Sequence, residues 1–434
     1  MIPNTRLRTL DEHKYNFAGF EVLKVASVYG ANGAGKSNLI KSLDLLKKII
    51  TEETSILRVQ ENQFKFQESD YNPAQLFAIE FFQEGKPFYY AIEITNNIVS
   101  AEELYESGLG NGKDKLVYER KTNLENKTTI TFTEGFEKDS KSQILKEVLL
   151  EDFVKPNRPI LRLISNRDNE FLSGAKDAFK WFSNTLRIIT PDSKPSALAQ
   201  KIETDNDFKN YAEEIMCSFH VGVTSIISEK EEINDFFGNK NGEDVAELIQ
   251  KVEDSPAKMV GLRSARGGEL IISKENDKTY VKQLKLEHTG KNGIIKKFDL
   301  EEESDGTIRL LDFIPAFKDL ISKGKVFFID EIERSIHPLL IKELLRKFIS
   351  DKESTGQLIF TTHESNLLDQ DLFRQDEIWF VEKDTNGVTD LYSLSDFKEH
   401  KTIDIRKGYL NGRYGSIPFL ANLKDLNWHK DDTN

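Results

Sequence analysis

Eight residues near the start of the chain have the types and the spacing that bind a phosphate chain. The segment Gly30-Ala31-Asn32-Gly33-Ala34-Gly35-Lys36-Ser37 fits the pattern G-x-x-x-x-G-K-[ST]. In this pattern the glycines let the backbone wrap around the phosphates, with its N–H groups pointing inward. Lys36 is expected to reach the β- and γ-phosphates, and Ser37 is expected to ligate Mg²⁺. The residues predicted to bind the phosphate-bearing ligand here are Gly30, Asn32, Gly33, Gly35, Lys36, Ser37 and Asn38.

A second pair of polar residues follows an apolar run in the last third of the chain. The run is Lys325-Val326-Phe327-Phe328-Ile329-Asp330-Glu331, which indicates a strand buried on both faces. Open α/β sheets bind their ligands at the C-terminal ends of such strands. We therefore predict that Asp330 supports the Mg²⁺ shell and that Glu331 polarises the attacking water. The alternative is a strand that ends in exposed carboxylates.

A histidine ends a third apolar run, Leu358-Ile359-Phe360-Thr361-Thr362-His363. At the tip of a buried strand, His363 is predicted to hydrogen-bond the γ-phosphate and to sense its loss. Lys36, Glu331 and His363 are then the predicted catalytic residues. A single histidine at a strand end is more often structural, and that alternative stays open.

Ser304 and Gly306 precede the helical run IRLLDFIPAF. A serine and a glycine at a helix start form an N-terminus whose free N–H groups can bind an anion. We predict that this helix end faces the γ-phosphate held by another subunit. In the alternative interpretation, Ser304 or Asp305 is an ordinary N-cap.

The elements that must hold these residues can be predicted from periodicity. Residues 22–29 indicate a buried strand and residues 38–50 a helix, so the glycine-rich segment connects the two. Two β-rich runs in 75–97, split by Glu84-Gly85-Lys86, predict an antiparallel hairpin, and 116–133 predicts another. The region 140–255 is mostly helical in pattern, and strands return near 269–287.

From residue 304 onward, helices and strands alternate, and this order implies parallel strands. The expected elements are helices at 307–321 and 338–350 and strands at 325–329, 357–361 and 377–382. The predicted fold class is α/β, with a mixed sheet, an antiparallel β-subdomain and a helical insertion. The predicted division is an ATPase lobe at 1–100, an insertion at 101–290, and the second half of the core at 291–434.

Composition narrows the classes of protein and of partner. The chain of 434 residues has 73 acidic and 60 basic side chains, a net charge of −13, which argues against a general polyanion binder. Two basic segments, 155–167 and 398–413, leave contact with DNA or a partner protein open. No apolar run is long enough for a membrane span, and the single Cys217 cannot form an internal disulfide. We expect a cytoplasmic protein with no membrane partner.

The order of these motifs resembles that of the ABC-type ATPases. The segments YGANGAGKSNLIKSL, ESDGTIRLLDF, FFIDEIERSIHP and IFTTHESNLLD are similar to the SMC/RecF-like and OLD-like branch, and to AAA-family ATPases of bacterial anti-phage systems. The resemblance implies a P-loop ABC-type ATPase head with ATP and Mg²⁺ as cofactors. It implies that Ser304 and Gly306 contact the nucleotide across a dimer and that 333–337 is the D-loop. For a Q-loop glutamine the sequence offers only Gln63 and Gln67 as weak candidates.

The resemblance implies a homodimer or higher oligomer that acts as a nucleotide-driven switch. The leading hypothesis is a sensor or regulator of an anti-phage system that controls a separately encoded effector, such as a nuclease. The tail after His363 lacks the clustered acids of a metal nuclease, so cutting is expected from another subunit. The alternative is a DNA repair or recombination ATPase of the RecF/SMC type. A transport ATPase is disfavoured because the signature is Ser-Asp-Gly and not LSGGQ.

Overall fold

The structure, a computed structural model, describes residues 1–52, 56, 58–65, 74–109, 112–195, 197–238, 242–263, 268–397, 399–400 and 403–417. Contacts between residues divide the chain into two compact units. The first unit comprises Met1–Ile189, Lys325–Asp330 and Gln357–Asn434, and the second comprises Thr190–Gly324 and Glu331–Gly356. The division at residues 100 and 290 stays a prediction.

In the described residues the strands are β1 (Lys14–Phe17), β2 (Phe20–Leu23), β3 (Val25–Gly30), β4 (Gln75–Gln83), β5 (Lys86–Thr95), β6 (Ile98–Glu106), β7 (Lys115–Thr122), β8 (Thr128–Phe132), β9 (Leu186–Ile189), β10 (Val223–Glu232), β11 (Met259–Arg263), β12 (Glu269–Glu275), β13 (Lys278–Thr289), β14 (Ile295–Asp299), β15 (Val326–Ile329), β16 (Gln357–Thr362), β17 (Ile378–Lys383) and β18 (Thr389–Ser393). The α-helices are α1 (Lys36–Thr51), α2 (Arg58–Glu61), α3 (Glu134–Lys138), α4 (Ser140–Val148), α5 (Leu161–Ser165), α6 (Ser173–Lys180), α7 (Leu198–Thr204), α8 (Asn206–Ser218), α9 (Ile233–Phe237), α10 (Gly242–Asp254), α11 (Asp305–Ser322), α12 (Pro338–Ser350) and α13 (Ile405–Leu410).

The first unit is built around a six-stranded mixed sheet with the order β18-β17-β3-β16-β15-β9. Strands β17, β3, β16, β15 and β9 are parallel, and only β18 runs antiparallel to its neighbour. Every residue of β3 is buried, as expected for a central parallel strand covered on both faces. The α/β fold class and the mixed sheet are therefore confirmed. Because β3, β16 and β15 run in the same direction, their C-terminal ends lie at the same edge of the sheet.

Two strands of this sheet, β9 and β18, were not predicted. Leu186–Ile189 forms the edge strand β9 and pairs with β15, so that Leu186 lies opposite Val326. The described part of 140–255 is mostly helical, as predicted, but it also contains the strands β9 and β10. The four residues Leu-Arg-Ile-Ile are too few for their periodicity to separate a strand from a helix, so their conformation depends on the neighbouring strand.

A separate antiparallel sheet has the order β4-β5-β6-β7-β8 and confirms both predicted hairpins. The turn between β4 and β5 has left-handed backbone at Glu84 (φ 49°) and Gly85 (φ 76°), as two-residue hairpin turns require. Aromatic side chains build the core on this sheet: the ring of Phe81 stacks on that of Trp181 at 4.3 Å and meets Phe182 edge-on at 5.4 Å.

A buried polar network crosses this sheet. Glu102 and Arg120 face each other on β6 and β7, both about 1% exposed, with Oε2 and Nη1 3.5 Å apart. The Glu102 carboxylate accepts hydrogen bonds from the Tyr118 hydroxyl (2.8 Å) and the Ile160 N–H (2.8 Å). Arg120 donates to three backbone carbonyls in 155–158. The network thus fixes the chain that leads into α5.

The second unit has its own antiparallel sheet, with the order β10-β13-β12-β11 and β14 paired to β13. Its helices are α7 to α12, and α8 contacts both β10 and α11. The predicted strands near 269–287 and helices at 307–321 and 338–350 are confirmed. No helix among the described residues combines the length and the apolar character needed to cross a membrane.

Candidate functional site

The glycine-rich segment connects β3 to α1 at the C-terminal edge of the six-stranded sheet. Gly33 and Gly35 have φ angles of 79° and 114°, which L side chains rarely adopt. Gly35 is the N-cap of α1, and no side chain caps this helix end. A Cβ on Gly30 would lie 2.6 Å from the carbonyl oxygen of Val381, because β17 pairs with β3 at that position. The backbone path therefore depends on glycine at these positions.

Lys36 and His363 come together at this edge. The Nζ atom of Lys36 donates to the carbonyl oxygens of Gly30 (2.7 Å) and Ala31 (3.1 Å), and it lies 3.2 Å from Nδ1 of His363. Lys36 is only 4% exposed. Where the ammonium donates to Nδ1, the imidazole is neutral and carries its proton on Nε2. Two of the three predicted catalytic residues are thus in contact.

The other predicted residues of the segment are more open to solvent. Asn32, Gly33 and Asn38 are exposed, and Ser37 is half-buried. A Cβ on Gly33 would meet nothing within 4 Å. The segment therefore presents an accessible face next to the buried Lys36 side chain.

Asp330 follows β15 directly and is 3% exposed. Its N–H donates to the carbonyl of Ile189 (2.8 Å), and its Oδ1 accepts a 2.6 Å hydrogen bond from the hydroxyl of Thr361 on β16. Both Asp330 and the P-loop residue Lys36 lie in the first unit, after the parallel strands β15 and β3 that flank β16. Thr361 lies in the predicted strand 357–361. Its hydrogen bond to Asp330 could not be predicted, because it depends on the register between β15 and β16.

Glu331 is the first residue of the second segment of the second unit, Glu331–Gly356. Its φ of 51° places it in the left-handed region, where a non-glycine residue costs about 1–2 kcal/mol. Such local strain is typical of positions held for function rather than for stability. Its catalytic role stays a prediction.

Ser304 and Gly306 begin α11. Ser304 is the N-cap, and its Oγ accepts from the Thr307 N–H at 3.1 Å, so the capping interpretation is correct. A Cβ on Gly306 would lie 2.8 Å from the carbonyl oxygen of Ser335. The predicted D-loop, 333–337, therefore packs directly against the helix start, and glycine is what allows this approach. The contact to another subunit's nucleotide stays a prediction.

The contacts of Arg309, which lies one turn beyond Gly306, were not predicted. Its guanidinium donates to the carbonyls of Pro191 (3.4 Å) and Ser193 (3.3 Å), and burial lowers its pKa. Among the described residues, its Nε and Nη2 have no hydrogen-bond partner. The same loop is held by an ion pair from Lys194 to Asp312 on α11 (2.7 Å). No sequence pattern indicates this contact, because it joins segments more than a hundred residues apart.

The donor set fits a nucleotide with its magnesium ion. Backbone N–H groups at a helix N-terminus, an ammonium and a hydroxyl suit phosphate oxygens, and Asp330 with Ser37 offers oxygen ligands for a hard cation. No group of three or more His, Cys, Asp or Glu side chains in the described part of the chain could hold a metal by itself. A magnesium ion here would therefore depend on phosphate oxygens for much of its shell.

Two further predictions concern less defined segments. Gln63 is half-buried in the first unit, while Gln67 lies outside the described residues. In the basic segment 155–167, Lys155 and Arg158 are exposed, and Arg162 donates to the Thr51 carbonyl. The second basic segment, 398–413, lies partly outside the described residues.

Comparison with protein families gives one match. A family model described as "AAA domain, putative AbiEii toxin, Type IV TA system" matches residues 25–369. The match spans the P-loop, the Asp330 strand and His363. No curated protein shows significant similarity to the chain.

Similar solved structures include three SMC head domains. One is bound to the C-terminal winged-helix domain of ScpA (12% identity, TM-score 0.37, 88% of this chain and 94% of that chain covered). The second is from Thermotoga maritima (12%, 0.35, 88% and 96%). The third has an extended coiled coil and is bound to the C-terminal domain of ScpA derived from Pyrococcus furiosus (14%, 0.34, 92% and 98%).

Proposed function

The chain belongs to this AAA-domain family, and we propose that it binds ATP with Mg²⁺ and hydrolyses it to ADP and phosphate. The observation that carries the proposal is the meeting of Lys36, His363 and the buried Asp330 at one edge of a parallel sheet. These groups have the charges and hydrogen-bonding capacities that a triphosphate and its metal need.

Each residue then has a defined task. Lys36 exchanges its bonds to the carbonyls of Gly30 and Ala31 for bonds to phosphate oxygens. Ser37 and Asp330 would hold the magnesium ion, which would supply positive charge to neutralise the phosphates. His363 hydrogen-bonds the terminal phosphate, and Glu331 orients the attacking water.

The active form is a homodimer or a higher oligomer in which each site is composite. Ser304 and Gly306 at the start of α11 would contact the nucleotide of the other protomer with the N–H groups of that helix end. A twofold interface would complete both sites at once. ATP binding then favours association, and hydrolysis releases it, so that the nucleotide acts as a conformational switch.

In the cell we assign this switch to an anti-phage defence system in the cytoplasm. The family description names a toxin and a toxin–antitoxin system, which supports a role in restraining or releasing a toxic activity. The effector would be a separately encoded protein, with a nuclease as one candidate. DNA binding of the RecF/SMC type is the competing function, and ATP-dependent duplex binding that weakens steeply with salt would support it.

Two variants with a matched control test the ATPase proposal. Lys36→Ala is expected to lose nucleotide binding, and Glu331→Gln is expected to bind ATP but to hydrolyse it slowly. Lys41→Ala, an exposed position on the same helix, serves as control and should resemble the wild type. Equilibrium binding and steady-state hydrolysis separate the two steps. Normal turnover in Glu331→Gln would remove that residue from the mechanism.

The regulatory role needs its own experiment. The protein is purified together with the product of the adjacent gene, and phage protection is measured for the wild type and for Lys36→Ala. We expect a stable complex and protection that depends on Lys36. Absence of both results would refute the defence role without touching the ATPase proposal.

A further inference from the structure

The hairpin of β17 and β18 lies beside the phosphate-binding loop. Its turn is closed by Asp384, whose side chain accepts hydrogen bonds from the N–H groups of Asn386 (2.9 Å) and Val388 (2.7 Å). The Asp384 N–H also donates to the Val388 carbonyl at 2.8 Å. A side chain that bonds the backbone two and four residues on fixes a turn of this kind. The first residue after the turn, Thr389, is therefore held in a defined place.

Thr389 touches the loop at the peptide that precedes α1. Its hydroxyl donates to the carbonyl oxygen of Ala34 at 3.0 Å. A Cβ on Gly35 would lie 2.3 Å from Oγ1 and 2.8 Å from Cγ2 of Thr389. Thr389 thus excludes any side chain at position 35, in addition to the constraint that φ of 114° already imposes.

The contact determines which way one peptide group faces. The C=O of Ala34 and the N–H of Gly35 belong to the same planar trans peptide and point in opposite directions. A hydroxyl that holds the carbonyl on the outside of the loop therefore turns the Gly35 N–H toward the inside. In a glycine-rich loop of this pattern, the inward N–H groups are those that bind phosphate.

We propose that Thr389 is a positioning residue for nucleotide binding, which orients the Gly35 N–H toward the phosphate chain through its bond to Ala34. This role rests on the proposed ATP binding. The hydrogen bond acts before the nucleotide arrives and persists afterwards, so it contributes equally to ground state and transition state. Such a contribution changes affinity and leaves turnover at saturation unchanged.

The test compares Thr389→Val, which keeps the shape but removes the hydroxyl, with Thr389→Ser, which keeps the hydroxyl. Thr385→Val, at the exposed turn of the same hairpin, is the control. Dissociation constants for ATP and ADP, kcat and the unfolding midpoint of the nucleotide-free protein are measured. For Thr389→Val we expect both dissociation constants to rise by roughly 3- to 10-fold, the effect of one neutral hydrogen bond. The kcat should stay within about twofold, and Thr389→Ser and Thr385→Val should match the wild type.

Three other outcomes overturn the proposal in distinguishable ways. Wild-type affinity in Thr389→Val, together with lost binding in Lys36→Ala, would refute the positioning role and leave the ATPase proposal standing. Weakened binding in Thr389→Ser together with wild-type affinity in Thr389→Val would show that packing of the methyl group, and not the hydroxyl, matters. A wild-type protein that binds neither nucleotide would refute both proposals.

Discussion

The hydroxyl of Thr361 is expected to stabilise the fold and to orient the carboxylate of Asp330. It donates to Oδ1 of Asp330 at 2.6 Å, and both residues are buried, at 0% and 3% exposure. The change Thr361→Val keeps the shape of the side chain and removes the donor. Since the acceptor is a carboxylate, the lost hydrogen bond is of the charge-assisted kind, which contributes about 1.5–3 kcal/mol.

The adjacent Thr362 provides a control of the same type on the same strand. It is also fully buried, but its Oγ1 accepts a 3.0 Å hydrogen bond from the backbone N–H of Glu364. A neutral bond of this kind contributes about 0.5–1.5 kcal/mol. Thr361→Val should therefore reduce the free energy of unfolding by roughly 1 kcal/mol more than Thr362→Val.

The assay has a structural part and a functional part. Urea denaturation of the nucleotide-free protein gives the difference in stability between the two variants. The Mg²⁺ concentration for half-maximal ATP hydrolysis reports the orientation of the Asp330 carboxylate. We expect only Thr361→Val to need more Mg²⁺, by up to about 10-fold, a change in affinity that corresponds to about 1.4 kcal/mol. Equal stability losses with an unchanged Mg²⁺ requirement would refute this account of Thr361.

Three further changes test other parts of the molecule. Glu102→Ala leaves its buried arginine partner without a counter-charge, so the free energy of unfolding should fall by about 3–5 kcal/mol in chemical denaturation, whereas an exposed Glu125→Ala should be near neutral. Hydrogen bonds from Lys230 and Lys282 lower the pKa of Glu275 from its ordinary value of 4.5 to about 2. The stability that this carboxylate contributes to the fold is therefore present above pH 4.5 and is lost as the pH falls toward 2. The stability difference between the wild type and Glu275→Gln should accordingly shrink between pH 6 and pH 3, and a constant difference would contradict it. Gly306→Ala should keep ATP binding but lower turnover at saturation by about 10-fold, because its Cβ would push the D-loop away; unchanged turnover would argue against that contact.

Local patterns allowed most of the site to be predicted. A glycine-rich segment between an apolar run and a helical period identifies Lys36 without any knowledge of distant residues, and Asp330 follows from its place at the end of an apolar strand. The predicted position of His363 after a buried strand is confirmed, and its Nδ1 lies 3.2 Å from Nζ of Lys36 because parallel strands bring their C-terminal ends to one edge. Its catalytic role stays a prediction.

The parts that could not be predicted depend on contacts between distant segments. Leu186–Ile189 becomes a strand only because β15 lies beside it. Arg309 and Thr389 donate hydrogen bonds to backbone carbonyls of segments far away in the sequence. Because every residue has a backbone carbonyl, residue type does not indicate which one accepts the bond. Threonine and arginine at such positions look like ordinary surface residues until the tertiary structure is known.

The bonds of Lys36 to its own loop have a consequence for selectivity among small anions. A cation that already satisfies two carbonyl oxygens gains little by exchanging them for one free orthophosphate or sulfate ion, both of which prefer to stay hydrated. A ligand with several linked phosphates can occupy the whole row of N–H groups together, so that the exchange becomes favourable only for the complete tail. The proposed nucleotide site would therefore favour nucleotides with several linked phosphates over free orthophosphate and sulfate.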